Sequence, residues 1–294
     1  ESMGVKIRTN ESVTNVEMKG RRVTALATDQ STYRADAFVV NADFADWMSK
    51  TIPNGIRRRW SDEKLASKKY SCSTFMLYLG IEGVYDETPH HSIHISRDYE
   101  RNLKEIETQH VLSEDPSFYV QNASVTDDSL APAGHSALYV LVPVTHQHPN
   151  VDWNRESERF RDLTLDKLAA VGMGDIRDRI RVEHRITPAD WESKYAIYRG
   201  ATFNLAHNLG QMLHKRPHNR FEELDGVYLV GGGTHPGSGL PVIYESSRIS
   251  SRLLLNDLGL DTKFIDDAAT CEEVDYSDYQ SSSFSSSKEV AVGS

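Results

Sequence analysis

Gly226-Val227-Tyr228-Leu229-Val230-Gly231-Gly232-Gly233-Thr234-His235-Pro236-Gly237-Ser238-Gly239-Leu240-Pro241-Val242-Ile243-Tyr244-Glu245 reads as a strand, a turn and the start of a helix. The apolar run Val227 to Val230 fits a short buried strand. Five glycines in the nine positions that follow free the backbone to turn and let a ligand approach closely. Pro241 suits the first turn of a helix. Ile243, Ser246/Ser247, Ile249/Ser250 and Leu253/Leu254 then recur on one face as far as about Leu255. A helix that starts on such a turn points unpaired N–H groups and the positive end of its dipole outward, which favours an electron-rich group there. Two phosphate motifs are excluded. No Gly-Lys-Ser/Thr follows, so this is not a Walker loop, and Pro236 stands where the dinucleotide fingerprint opened by Gly231 and Gly233 needs its third glycine. A plain tight connection is the competing reading of the segment.

Outward from that stretch, Val5–Thr9, Val13–Met18 and Val23–Thr28 read as a small antiparallel meander, with Lys19-Gly20-Arg21 as one turn. Phe38–Asn41 is a continuous apolar run that suits a strand buried in a central sheet. Residues 44–70 read as helical, broken at Pro53-Asn54-Gly55. Residues 72–82, 117–122, 137–144 and 180–186 read as strands, and Asp98–His110 as a helix. Trp153–Val171 reads as a helix capped by Asp152 or Asn154 and ended by Gly172, with Phe160, Leu163, Leu168 and Val171 as its core stripe. Strands and helices alternate irregularly between 72 and 186, which predicts a mixed α+β domain laid on a sheet. From about Asp261 the pattern stops. Acidic residues and the run Ser281-Ser282-Ser283-Phe284-Ser285-Ser286-Ser287 predict a disordered tail over 261–294.

The chain has 294 residues, enough for one large or two medium domains. Its mean hydropathy of −0.52 is polar for a membrane-associated enzyme, and no apolar run nears the roughly 20 residues that span a bilayer. Glu1 to Asn10 lacks the apolar core of a signal peptide. A formal net charge of −10 argues against a nucleic-acid footprint. It leaves room for a local basic patch, and Arg57-Arg58-Arg59-Trp60 with Lys64, Lys68 and Lys69 reads either as a membrane contact or as a solvated helix face. Two cysteines, Cys72 and Cys271, are too few for a disulfide scaffold and read as bystander thiols in a reducing cytoplasm. Twelve histidines invite a metal reading through His90-His91-x-x-His94, His146-x-His148 and His207 with His214 and His218. Without H-E-x-x-H or Cys-x-x-Cys beside them, no metal site is expected. No serine sits in a G-x-S-x-G elbow.

Several ordered segments carry a resemblance. Thr234-His235-Pro236-Gly237-Ser238-Gly239-Leu240-Pro241 resembles the C-terminal flavin-contacting motif of bacterial and fungal-type phytoene desaturases, in the carotenoid branch of the FAD-dependent amine-oxidase-like flavoproteins. Gly200-Ala201-Thr202-Phe203-Asn204-Leu205, with His207, Gln211, Arg216-Pro217 and Asn219-Arg220, resembles the run leading into it. Ser113 to Asn122, Leu138 to Val144 with Pro149-Asn150 and Asp152-Trp153, and Ala35-Asp36-Ala37-Phe38-Val39-Val40-Asn41-Ala42-Asp43 match in the same order. The resemblance covers roughly residues 1–260. No strand–turn–helix with G-x-G-x-x-G opens the chain, so the likeness is to the C-terminal part of such an enzyme.

The resemblance implies an α/β, mixed α+β fold. Residues 1–45 and 224–260 would form the remainder of a Rossmann-like FAD-binding domain, and 46–223 a mixed-sheet substrate domain. It implies FAD as cofactor and desaturation of a phytoene-type polyene by hydride transfer to flavin N5. Gly232, Gly233 and Thr234 would lie along the ribityl and pyrophosphate, and Gly239, Leu240, Pro241 and Val242 would face the pyrimidine edge. His235 would be the candidate acid or base near flavin or substrate, with a structural role as its alternative. The implied partners are a long apolar polyene and a membrane surface that a cytoplasmic protein meets peripherally; oligomerisation is left open. A carotenoid isomerase, a polyene oxygenase, a retinol saturase-like enzyme and an inactive module that only binds share enough of this wording to stand as alternatives.

Overall fold

The computed structural model describes residues 2–268. β1 (Val13–Lys19) and β2 (Arg22–Thr28) pair antiparallel across Gly20, whose φ of +64° suits the tight turn. β3 (Thr32–Arg34) adds to the far edge of β2. The expected strand Val5–Thr9 does not form. Val5 and Ile7 are 58% and 63% exposed, and the segment joins no ladder. Its alternation supplies an apolar face, but there is no surface beneath for that face to cover, and propensity alone does not hold a strand.

The feature that positions the site is a parallel pair. β4 (Phe38–Val40) and β10 (Val227–Leu229) lie far apart in sequence yet register Val227 to Phe38 and Leu229 to Val40. Phe38 N–H donates to Gly226 O, and Val230 N–H to Val40 O, extending the ladder at both ends. Both strands therefore finish at the same edge, where Asn41-Ala42-Asp43 meets Gly231-Gly232-Gly233. α1 (Phe44–Thr51) starts there, with the Asp43 carboxylate accepting from Asp46 N–H as its cap. α2 (Asp62–Ser67) is capped by Ser61. Around the pair lies one core: Val23, Phe38, Phe44, Met48, Trp60, Leu65, Leu205, Phe221 and Leu229 are buried in it together.

A second core belongs to a five-stranded antiparallel sheet ordered β6 (His91–His94), β7 (Phe118–Asn122), β8 (His135–Val144), β5 (Ser73–Glu82), β9 (Ile180–Ile186). One face of the sheet packs on α4 (Trp153–Ala170) and α5 (Ile176–Arg179) through Phe75, Leu77, Val140, Val142, Phe160, Leu165, Leu168 and Ile176. Asp152 caps α4, as its sequence suggests. Val171, assigned to the stripe, is 37% exposed because it lies one residue past the helix end; Trp153 and Leu165 are buried in its stead. Asp98–His110 divides into α3 (Tyr99–Lys104) and a π-helical turn, Glu105–Gln109, that ends at left-handed His110. His91 to His94, singled out as a histidine cluster, is the edge strand β6.

The core around the parallel pair also takes in residues between 46 and 223. Trp47, Met48, Trp60, Leu65, Ala201 and Phe221 belong with the parallel pair. α6 (Pro188–Tyr195) bridges the two cores, opened by a reciprocal Thr187–Asp190 capping box. α7 (Leu240–Asp257) follows the glycine-rich turn. Only Ser246 and Ser250 of the recurring face are buried on α7, and Ser250 Oγ donates to Leu229 O, so small side chains bring the helix close to β10. α8 (Lys263–Ala268) occupies the beginning of the stretch read as a disordered tail, and the remainder of that stretch lies outside the described residues. Among the described residues no helix is long and apolar enough to cross a membrane.

The basic cluster near Arg57 is split between core and surface: Arg58, Lys64 and Lys69 are exposed, Arg59 and Lys68 half-buried. Arg57 is buried, donating to Trp60 O and pairing with Asp62. Arg59 pairs with Glu222, the Arg59 and Lys68 cations approach the Trp60 ring, and Lys64 Nζ donates to Arg58 O. Arg57 closes the α1–α2 connection on itself, and Arg59 ties it to His214 O and Glu222.

Candidate functional site

At the shared carboxyl edge of β4 and β10 a cavity of about 320 Å³ opens. Asn41, Ala42, Asp43 and Asp46 line one side, Gly231, Gly232 and Gly233 another, and Tyr195, Ala196, Ile197 and Asn204 close it from α6 and the segment after it. Ligands in open α/β sheets bind outside the carboxyl ends of the strands, which is where this cavity lies. Its volume is at the small end of ligand cavities, so it suits one section of a dinucleotide.

The glycines here are required by close approach. A Cβ on Gly231, which has φ +94°, would lie 2.6 Å from Asn41 Oδ1. One on Gly233 would lie 2.8 Å from Asn204 Oδ1 and 2.9 Å from the Phe44 Cβ. Among the described residues the N–H groups of Gly231, Gly232 and Gly233 have no protein acceptor, and successive free amides form a concavity for electron-rich groups. What holds the turn is Arg216, which is fully buried. Its Nε donates to Thr234 O at 3.1 Å, its Nη2 to Gly232 O at 2.7 Å, and its fork also reaches Leu205 O at 3.3 Å. Burial without a carboxylate partner lowers its pKa to about 10, and it stays cationic at neutral pH.

Asp43 faces the same cavity. Burial raises its pKa from the ordinary 3.8 to about 6, against backbone hydrogen bonds from Asp46, Tyr198 and Ala45 that favour the anion. Near neutral pH it therefore carries less charge than an exposed carboxylate would.

The residues singled out from sequence separate into three places. Gly232 and Gly233 line the cavity. Thr234 is buried beneath it, with Oγ1 donating to Pro217 O at 2.6 Å. His235 faces a different hollow, lined also by Leu213, His218 and Leu253; its N–H donates to Pro217 O and its carbonyl accepts from Asn219. Gly239, Leu240, Pro241 and Val242 form the first turn of α7, which no side chain caps, and Leu240 is 67% exposed. The first turn leaves N–H groups open, but these residues do not line the cavity of Gly231 to Gly233.

Among the described residues no three His, Cys, Asp or Glu side chains are placed to hold a metal ion. The histidines are otherwise engaged. His207 Nε2 accepts from Ser238 N–H at 3.0 Å, His218 Nε2 reaches His214 O, and His146 and His148 pack around His110. Cys72 is free, and burial raises its thiol pKa; Cys271 lies outside the described residues. Asn41, Asp43, Asn204 and Tyr195 were not chosen from sequence as site residues. Asn41 and Asp43 end the very segment that carried the resemblance, and Asn204 stands in another, so position within a motif was the available signal.

A parallel strand pair, a glycine-rich turn at its carboxyl end and a helix starting on that turn are the arrangement on which α/β folds place nucleotide cofactors. The flavin containing amine oxidoreductase family matches residues 1–255, and the chain belongs to that family. It is 53% identical over 222 residues to a 4,4'-diapophytoene desaturase (4,4'-diapolycopene-forming) of Methylomonas sp, an alignment covering 75% of this chain and 43% of that protein. It is 41% identical over 261 residues to an all-trans-zeta-carotene desaturase of Myxococcus xanthus, covering 87% and 49%. The chain thus spans about half the length of the curated relatives it matches. A solved oxidoreductase of Methanosarcina mazei shares the fold, with a TM-score of 0.53 at 16% identity over 82% of this chain and 49% of that one.

Proposed function

We propose that this chain provides the glycine-rich turn and the substrate-side sheet of an FAD-dependent desaturase acting on a linear carotenoid precursor. The observation that carries the reading is the row of free amides on Gly231, Gly232 and Gly233, set where parallel strands end, in a chain 53% identical to a diapophytoene desaturase. The residues fit a flavin nucleotide. Three N–H groups without a protein acceptor border a cavity kept open by the absence of Cβ atoms. A bound flavin supplies the hydride acceptor.

The chain's own part is positional. Gly232 and Gly233 offer amides to the ribityl and pyrophosphate section. Thr234 and Arg216 fix the turn from beneath. The uncapped first turn of α7, at Gly239, Leu240, Pro241 and Val242, presents N–H groups and a positive dipole end suited to negative charge on the pyrimidine ring. We assign His235 a structural role, because both its backbone groups tie the turn to residues 217–219. Delivery of so apolar a substrate favours a cytoplasmic protein resting on a membrane. Supporting this, Leu209 is 93% exposed, and the His207–Ser238 hydrogen bond joins its loop to the segment bearing exposed Leu240.

The test is expression of the chain in bacteria that accumulate acyclic C30 and C40 precursors, followed by chromatography and mass spectrometry. Products lighter by pairs of hydrogens and absorbing at longer wavelength are expected. Unchanged precursors would overturn the desaturase reading, and isomers of unchanged mass would replace it with isomerisation.

A further inference from the structure

The sheet face turned away from α4 carries one ring from every strand. His91 on β6, Tyr119 on β7, Tyr139 on β8, Tyr78 on β5 and His184 on β9 follow one another with centroids 6.0, 6.0, 5.3 and 6.1 Å apart. Tyr78 and Tyr139 are direct cross-strand partners at 76°, and Tyr119 meets Tyr139 at 70°. At about 4.8 Å per strand the row runs roughly 20 Å.

The rest of that face suits a chain without charge. Met76, Leu141 and Ile186 flank the row on one side, and Gly80, its partner Ala137 and the exposed Val182 on the other. Charge meets this face at its far end, where Glu82 of β5 pairs with Arg181 at the bulge of β9. Beyond that bulge the charges of β9 point the other way, where Glu183 and Arg185 pair with Arg161 and Glu158. An antiparallel sheet that only needed a wet face would carry polar residues there.

The row also leads somewhere. Trp191 on α6 anchors its indole N–H on Thr74 O, one strand pair beyond Met76, and its ring lies 4.8 Å from Tyr195. Tyr195 lines the glycine cavity and is close enough to Tyr78 to contribute to its raised pKa, which is due chiefly to burial.

We propose that Tyr119, Tyr139 and Tyr78, continued by Tyr195, form the track on which a linear conjugated polyene lies, the rings selecting an unsaturated chain over a saturated one of equal length. The proposal rests on the substrate class argued above but not on flavin binding or turnover. Ring faces attract a π-system beyond what apolar area alone provides, so the preference is for conjugation as well as for length.

The full chain in mild detergent is titrated with diphenylhexatriene, a rod-like polyene that fluoresces on leaving water. A conjugated triene hydrocarbon and the alkane of equal length serve as competitors. The Tyr78→Leu/Tyr139→Leu variant is expected to bind the probe about tenfold more weakly, through the loss of two ring contacts, with its urea midpoint unchanged. Tyr78→Phe/Tyr139→Phe keeps parental binding, and the triene displaces the probe better than the alkane. If the double leucine variant does not fold, Tyr139→Thr, which suits a strand, is expected to weaken binding about threefold. Parental binding by the leucine or threonine variant, equal competition by alkane and triene, or no binding by the parent overturns the track. Persistent, ring-dependent binding without conversion of precursors overturns the desaturase reading and leaves the track standing.

Discussion

Replacing Asp43 by Asn tests whether the cavity holds a carboxyl group against its preference. Asn caps a helix about as well as Asp, so the bond from Asp46 N–H that starts α1 is kept while the charge is removed. Burial raises the carboxyl from 3.8 to about 6 in the folded chain. The folded state therefore binds more protons than the unfolded one between those values, and stability falls as pH rises through that window. Two pKa units correspond to about 3 kcal/mol at full ionisation. Asp43→Asn is expected to match the parent near pH 4, to gain on it progressively from pH 4 to 6, and to exceed it by about 2–3 kcal/mol at pH 8. Urea unfolding followed by tryptophan fluorescence reads this directly, since Trp47 and Trp60 lie in the same core. A difference that does not change with pH, or a variant weaker than the parent at pH 8, would refute the argument that desolvation outweighs the three backbone hydrogen bonds.

Arg216→Lys places one ammonium where a planar fork serves three carbonyls, and a loss of about 2–4 kcal/mol in urea unfolding is expected; a loss under 1 kcal/mol would show the carbonyls to be satisfied otherwise. Gly233→Ala drives a Cβ against Asn204 and Phe44 and is expected to cost about 1–3 kcal/mol. Gly239→Ala meets open space and carries only the strain of φ +110°, so the smaller loss is expected there. His146 donates Nδ1–H to Ser71 O and, mainly through burial, has its pKa lowered to about 4. A group depressed below its ordinary value stabilises the fold above about pH 6.5 and loses that contribution as pH falls toward 4. Its ring proton resonance should titrate near pH 4, and a midpoint near 6.5 would contradict the burial seen here.

What could be read from sequence was whatever short-range order determines. The strand at Val227, the turn after it and the helix from Leu240 are contiguous, and their residue types state their roles locally. Asp152 announced its helix by capping chemistry, which acts within three residues. What could not be read depended on pairing. Val5–Thr9 has as good an alternation as β1, and only the missing surface beneath it decides against a strand. Arg57 looked like part of a solvated cluster because nothing local shows that Trp60 and Asp62 fold back over it. The aromatic row is invisible for the same reason: Tyr78, Tyr119 and Tyr139 become neighbours only once three strands take their register.

The glycine-rich turn shows how such distant residues make a local motif work. A turn with few regular hydrogen bonds must still satisfy its buried carbonyls. Gly232 and Thr234 turn theirs inward onto the Arg216 guanidinium, and His235 turns its own onto Asn219 Nδ2, which also reaches Ser246 and Ser250 of α7. In a planar peptide the N–H opposes the preceding C=O, so the hold of Arg216 on Gly232 O turns the Gly233 N–H away from the guanidinium, and that amide has no protein acceptor among the described residues. The direction of that N–H is thus a consequence of Arg216, not of the glycines alone. Glycine permits the path, and Arg216 with Asn219 behind the turn holds it in place. Two residues with no direct ligand contact should accordingly matter to cofactor retention as much as Gly232 or Gly233. Asn219→Asp would sharpen the point, because a carboxylate has no N–H to offer His235 O and would sit unpaired among carbonyls. That variant is expected to lose flavin on gel filtration at a urea concentration where the parent keeps it, and equal retention would show that the glycines set the display unaided.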